Sequence, residues 1–259
     1  MMARPSPARV KKTLEKLRVD IDEFLCAHLP ENPETFIAQH WPAMSGMFKS
    51  SSKVVHDGLW GTLKLHPAEI LLLDTPLVQR LRQIHQMGLA NLTYPSATHS
   101  RFEHTLGVML QVQKLGEAIL RDPDEQRLDP GQVAEMRFAA LLHDVGHGCF
   151  SHSSEEIYGA FPAMVVLGKE FRCRPHEILS YLIITSKQFI QFCKVVDKHC
   201  KVKIPVSEIA DYIIGRPGTP PRPYKQQLIN GPFDADKLDY LFRDSHFSGL
   251  PMAVDLDRL

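Results

Sequence analysis

His143-Asp144 closes the apolar run Phe138-Ala139-Ala140-Leu141-Leu142. A run that is apolar all round marks a buried helix. A carboxylate carried into such an interior has to be paired or bound to a metal. His147 follows four residues after His143 and three after Asp144, on the same face if the helix runs on through Gly146. Imidazole nitrogen together with carboxylate oxygen suits a first-row divalent ion. His104 lies three residues after Arg101, whose guanidinium fork matches phosphate oxygens. Asp236, Tyr240 and Asp244 recur every fourth residue, with Lys237 to the side. A carboxylate, a phenol and a second carboxylate in a row could serve a metal and then a sugar. Each piece alone is a short motif with a high false-positive risk. The order His104, His143-Asp144, Asp236 is what makes a four-ligand centre plausible chemistry.

Helices must position these groups. Spacing predicts helices over 8–28, 101–120, 133–145, 152–160, 175–185, 186–199, 206–214 and 234–246. Thr75-Pro76 opens another through about Met87, with Gly88 ending it. Strand signals are confined to a hairpin near residues 53–66, turning at Asp57-Gly58. Residues 1–7 read as a disordered start. The prolines and serines of 30–52 read as a linker, and 215–223 reads as a loop. The fold class is therefore mostly α, with one small β-hairpin. The expected organisation is an N-terminal helix and linker over 1–52, followed by one domain over 53–259.

A chain of 259 residues is long enough for a sizeable core. Thirty basic and thirty acidic residues cancel, which disfavours nucleic acid as a partner. The lysines of 187–203 read as a solvated helix face. Five scattered cysteines without a C-x-x-C pattern disfavour a disulfide framework or zinc ribbon. No secretory leader or membrane span is read from the sequence, so a cytoplasmic protein is expected.

The segments HSRFEHTLGV, LLHDVGHGCFSH, DADKLDYLFRD and LLLDTPLVQRLRQIHQMG together resemble the HD-domain phosphohydrolases. Within that superfamily they are most similar to the dNTP triphosphohydrolase branch, which includes sterile-alpha-motif/HD-domain enzymes and bacterial relatives. The resemblance runs from about Lys53 to the C-terminus and implies an HD-domain helical bundle. It implies a divalent ion (Mn, Fe, Zn, Ni or Mg) held by His104, His143, Asp144 and Asp236. It gives Arg101, His147, His152 and His176 catalytic roles around the phosphates. Gln86, Met87, Arg101, Lys237, Tyr240 and Asp244 become substrate contacts. The implied reaction is water attack at the α-phosphorus of a dNTP, releasing triphosphate and leaving a deoxynucleoside. A homo-oligomer is also implied. So is a GTP or dNTP activator at Lys53, Val54, Asp74, Gln79 and Arg82.

Two departures stand out. The hairpin loop reads Asp57-Gly58-Leu59-Trp60-Gly61 where relatives carry Asp-Pro-hydrophobic-His-Gly. The chain also stops at VDLDRL, earlier than relatives do, so a C-terminal truncation is expected. The competing readings are a phosphohydrolase of other nucleotides and a nucleotide-binding or assembly module without turnover.

Overall fold

The computed structural model describes residues 6–39, 53–121, 128–216 and 223–252. Helix α1 (Pro7–His28) starts at Ser6, whose hydroxyl accepts from the Arg9 amide at 3.4 Å. It buries Ile21 and Leu25. A second helical stretch, α2 (33–39), lies inside the segment expected to be irregular. Asn32 accounts for it: its side chain accepts from the Thr35 amide at 3.0 Å, a helix-starting contact. Residues 1–5 and 40–52, including Ser50-Ser51-Ser52, lie outside the described residues.

The hairpin pairs β1 (Lys53–Asp57) with β2 (Gly61–Leu65) in antiparallel register, Lys53 opposite Leu65 and Asp57 opposite Gly61. Asp57 forms the turn by accepting from the amides of Leu59 (3.0 Å) and Trp60 (2.8 Å). Gly61 closes it at φ +85°. The hairpin is anchored by Arg137, which meets Glu69 in two parallel bonds of 2.7 and 2.8 Å and also donates to the Lys64 carbonyl. This is a bidentate buried pair.

After α3 (Pro67–Leu73), the helix expected from Pro76 to about Met87 is shorter. Only α4 (Pro76–Gln79) is α-helical, continued by a 3₁₀ turn over Arg80–Gln83. Ile84 is then extended, at φ −111° and ψ 113°. The cause is a non-local pairing: the Arg101 amide donates to the Ile84 carbonyl, and the Gln86 amide to the His99 carbonyl. That pairing sets Gln86 and Met87 beside the start of α5, and a second 3₁₀ turn (Gly88–Leu92) follows.

Helix α5 (Arg101–Arg121) begins with a reciprocal cap between Ser100 and Glu103. Helix α6 (Pro130–Leu142) begins with a second, between Asp129 and Gln132. The two pack along their length. A Cβ at Gly116 would stand 2.8 Å from a Val133 methyl, so the Val133 side chain packs directly on the backbone of α5. Leu106, Val108, Met109 and Val112 of α5, and Met136, Phe138, Leu141 and Leu142 of α6, are buried. Each such side chain contributes about 1.5–3 kcal/mol.

A 3₁₀ turn (Ser151–Ser154) and the short α7 (Glu155–Tyr158) occupy the region expected as one helix over 152–160. Helix α8 (Pro162–Phe171) was not anticipated; it packs against α1. Helices α9 (Pro175–Ile184), α10 (Lys187–Cys200) and α11 (Val206–Ile213) fall where spacing predicts them. The expected loop over 215–223 lies mostly outside the described residues. Helix α12 (Pro223–Ile229) follows it. Finally α13 (Ala235–Ser248) packs across α5. Among the described residues no helix is long and apolar enough to cross a membrane, and all five cysteines are unpaired.

Candidate metal centre

Three helix ends bring the ligand candidates together. His104 lies in the first turn of α5, and Asp236 in the first turn of α13. That turn is set by Asp234, whose carboxylate accepts from the Lys237 amide at 2.8 Å. His143 and Asp144 come from the end of α6, which stops at Leu142 rather than running on to Val145. Just beyond the helix, the backbone carbonyls find donors on other segments. Ser180 donates to the His143 carbonyl at 2.6 Å, and Arg80 donates to the carbonyls of Val145 and His147. Gly146 permits the close packing against α9: a Cβ there would lie 2.2 Å from the His176 carbonyl oxygen.

His104 Nε2 lies 2.9 Å from Asp236 Oδ1 and 3.7 Å from Asp144 Oδ2. His143 Nε2 lies 3.5 Å from Asp144 Oδ1 and 3.8 Å from Asp236 Oδ1. Both imidazoles are oriented from behind. His104 Nδ1 donates to Asp239 at 2.7 Å, and His143 Nδ1 donates to the Ala140 carbonyl at 2.7 Å. Each Nε2 is buried without a hydrogen-bond partner. Two orphaned imidazole nitrogens facing two carboxylates are a donor set that a divalent cation satisfies, with the second nitrogen of each ring held as metal-bound histidines usually are. His104, His143 and Asp144 offer ligand atoms within 4.8 Å of one another.

The electrostatics agree with that fit. Burial pushes the Asp144 carboxyl up, but Arg101 beside it, with His143 and His147, outweighs burial and holds it well below the usual carboxylate range. Asp236 is held low in the same way by His104 and His143. Burial works against a charged His104, yet Asp236 and Asp239 outweigh it and raise the ring to about 10. The carboxylates collect positive charge where a cation would sit.

A cavity of about 360 Å³ opens over this centre. Its lining includes Gln86, Met87, Arg101, Asp144, His147, His152, His176, Asp236, Tyr240 and Asp244, all singled out from the sequence. Arg101 is buried, its guanidinium shared between Asp144 and Ser151. The helix does not continue through Gly146, so His147 does not share a helical face with His143; the turn nevertheless leaves its Nε2 3.3 Å from Asp144. Burial lowers His147 well below the ordinary histidine value. Its ring stacks on His176 at 3.9 Å between centroids, with His152 edge-on at 4.8 Å.

Asp244 accepts from His99 Nε2 at 2.7 Å if that nitrogen carries the proton. Lys237 is turned aside: its ammonium donates to the Gly231 carbonyl and to Asp234, both at 2.7 Å, and it lines an adjoining cavity of about 130 Å³. None of Lys53, Val54, Asp74, Gln79 and Arg82 lines either cavity. They form a separate edge, where Lys53 stands 3.6 Å from Asp74, Gln79 reaches the Leu73 carbonyl, and Arg82 donates to Gln79.

Sequence reasoning passed over several residues of the site. Glu155 accepts from His152 Nδ1 (2.6 Å) and His176 Nδ1 (2.8 Å), and Asp239 holds His104. Both were within reach of helical spacing, three residues after His152 and Asp236. Ser151, at φ +56°, and Arg174, which lines both cavities, carry no local signal.

The chain belongs to the HD domain family, whose family model matches residues 101–243, a span that contains both histidines and both aspartates of the cage. It is similar to an uncharacterized protein of Methanocaldococcus jannaschii, at 33% identity over 208 residues, covering 80% of this chain and 37% of that protein. It is also similar to the deoxynucleoside triphosphate triphosphohydrolases SAMHD1 of Mus musculus (31% identity; 80% of this chain, 33% of the relative) and Homo sapiens (29%; 80% and 35%). The chain thus spans about a third of the length of these relatives. A crystal structure of a hypothetical protein from Aquifex aeolicus superposes with a TM-score of 0.62 at 30% identity, covering 80% of this chain and 50% of that one.

Proposed function

We propose that this chain is a metal-dependent phosphohydrolase acting on deoxynucleoside triphosphates, releasing the deoxynucleoside and triphosphate. The observation that carries this reading is the pair of orphaned nitrogens, His104 Nε2 and His143 Nε2, facing Asp144 and Asp236, the two carboxylates that line a cavity together with Arg101 and three histidines. The relatives named as triphosphohydrolases support the choice of substrate.

His104, His143, Asp144 and Asp236 would hold the divalent ion, which supplies Lewis-acid activation of water and neutralises phosphate charge. Arg101, preset by Asp144 and Ser151, binds phosphate oxygens with its fork. His147 stays neutral near pH 7, so it can offer a single N–H without adding charge. The Nδ1 of His152 is held by Glu155 and that of His176 by the same oxygen, so Nε2 of each ring is the nitrogen available to substrate. His152, half-exposed at the cavity rim, is the better placed to give a proton to the leaving oxygen. Tyr240 and Asp244 bind the sugar, and Gln86 and Met87 cover its edge. Lys237 reaches the phosphates only by leaving Asp234.

Residues 53–259 act as the catalytic unit, with 1–52, which carries α1 and α2, as an appended segment. Lys53, Val54, Asp74, Gln79 and Arg82 form an edge suited to a nucleotide activator that promotes assembly of a homo-oligomer. The test is incubation of the purified chain with Mn²⁺ and each dNTP in turn, starting with dGTP. Deoxyguanosine and triphosphate are expected. Metal-loaded protein that yields neither from any dNTP would overturn the substrate assignment.

A further inference from the structure

Trp60, at the tip of the β1–β2 hairpin, donates its indole N–H to Asp239 Oδ1. Asp239 is fully buried, and its other oxygen, Oδ2, accepts from His104 Nδ1 at 2.7 Å. Arg243 braces the same carboxylate from α13 through Nε (2.8 Å) and Nη2 (2.9 Å), and reaches Asp57 in the hairpin turn at 3.0 Å. A Cβ at Gly107 would stand 1.8 Å from Asp239 Oδ1, so the carboxylate lies directly on the backbone of α5. The indole ring itself is held by contacts that do not use its nitrogen: edge-on to Phe242 at 5.7 Å and beneath the Lys114 ammonium at 5.2 Å.

We infer that Trp60 is a positioning residue for the metal centre, acting through Asp239 on His104. Arginine alone fixes the plane of the carboxylate. The indole N–H fixes which oxygen is left for His104. Tryptophan suits this task because its nitrogen is a donor only and cannot reverse its role. Asp239 thus stays an acceptor towards His104, Nδ1 keeps its proton, and Nε2 presents its lone pair to the cation. Partners of this kind behind a ligating histidine change metal affinity by about 10- to 100-fold. The inference rests on the reading of His104 as a metal ligand. It adds a ligand-orienting contact from outside residues 101–243, carried by a hairpin that touches neither cavity.

The probe is Co²⁺, titrated into metal-free protein and followed by its visible absorption, alongside thermal unfolding of the metal-free form. Trp60→Phe keeps a ring and removes the N–H. Trp60→His restores a donor. The expected result is Co²⁺ binding weakened about 10-fold or more in Trp60→Phe, with an altered absorption band. The metal-free unfolding temperature should change little, and affinity should be largely recovered in Trp60→His. Wild-type affinity in Trp60→Phe overturns the inference and leaves the metal centre standing. So does a matched loss of metal-free stability and affinity that Trp60→His fails to rescue. Absence of Co²⁺ binding by the wild-type chain overturns the metal centre and this inference together.

Discussion

His104 and Asp236, brought from the first turns of two helices, stand 2.9 Å apart in a geometry that forms no hydrogen bond. A close contact that leaves the buried His104 Nε2 without a hydrogen-bond partner is what a cation beside both groups explains. Asp236→Asn keeps the shape and removes one negative charge. It is expected to lower the bound divalent metal from about one per chain to a trace. Elemental analysis after reconstitution with Mn²⁺ decides this; an unchanged metal content would remove Asp236 from the ligand set. Asp144→Ala is expected to lose both metal and turnover.

Arg101 is shared between Asp144 and Ser151, a task that uses the breadth of the guanidinium fork. Lysine offers one point charge and cannot bridge both. Arg101→Lys is expected to retain metal while kcat/KM falls about 10²-fold, the usual loss for one preset donor to a developing anion. Steady-state kinetics on metal-replete protein would contradict this if the rate were within a factor of two or so of wild type.

The turn carrying Asp144 has no room for a methyl group at Gly146. Its Cβ would meet backbone atoms of α9 on two sides, His176 O at 2.2 Å and Ser180 N at 2.5 Å. Backbone cannot swing aside as a side chain can. Gly146→Ala is expected to destabilise by about 1–3 kcal/mol or more, read from the urea midpoint.

Burial raises the Glu155 carboxyl, but hydrogen bonds from His152 and His176 outweigh burial and hold it far below its ordinary value near 4.5. A folded-state value below the unfolded one stabilises the native state above about pH 4.5 and is lost as pH falls below it. Wild type is therefore expected to exceed Glu155→Gln in stability at neutral pH, by a margin that shrinks on acidification. Thermal unfolding across pH 3 to 7 or so measures it. A margin independent of pH would show that the carboxylate charge contributes nothing.

Sequence periodicity reveals the frames of the candidate ligands, an apolar α6 run and helices starting near 101 and 234, while the resemblance picks out His104, His143, Asp144 and Asp236 as one set. The mostly helical class and the hairpin were legible for the same reason. What escaped depends on contacts between distant segments. Ile84 turns extended only because Arg101 needs a carbonyl for its amide, so the helix expected to reach Met87 breaks early. Past the end of α6 at Leu142, Ser180 and Arg80 take the carbonyls of His143, Val145 and His147, and nothing near residue 143 announces either. The resemblance implies a substrate contact at Lys237, yet Asp234, three residues earlier, holds its ammonium.

Gly107 ties two positions of this chain into one heritable unit. The Asp239 carboxylate fills the volume a side chain at 107 would take. A larger residue at 107 can arrive only with a shorter one at 239, and that second change strips His104 and Arg243 of their shared partner at once. Neither position can drift by a single neutral step, whereas Ala118, exposed on the same helix, is free to. Descendants that keep the metal centre are therefore expected to keep both residues or to rebuild the pair together.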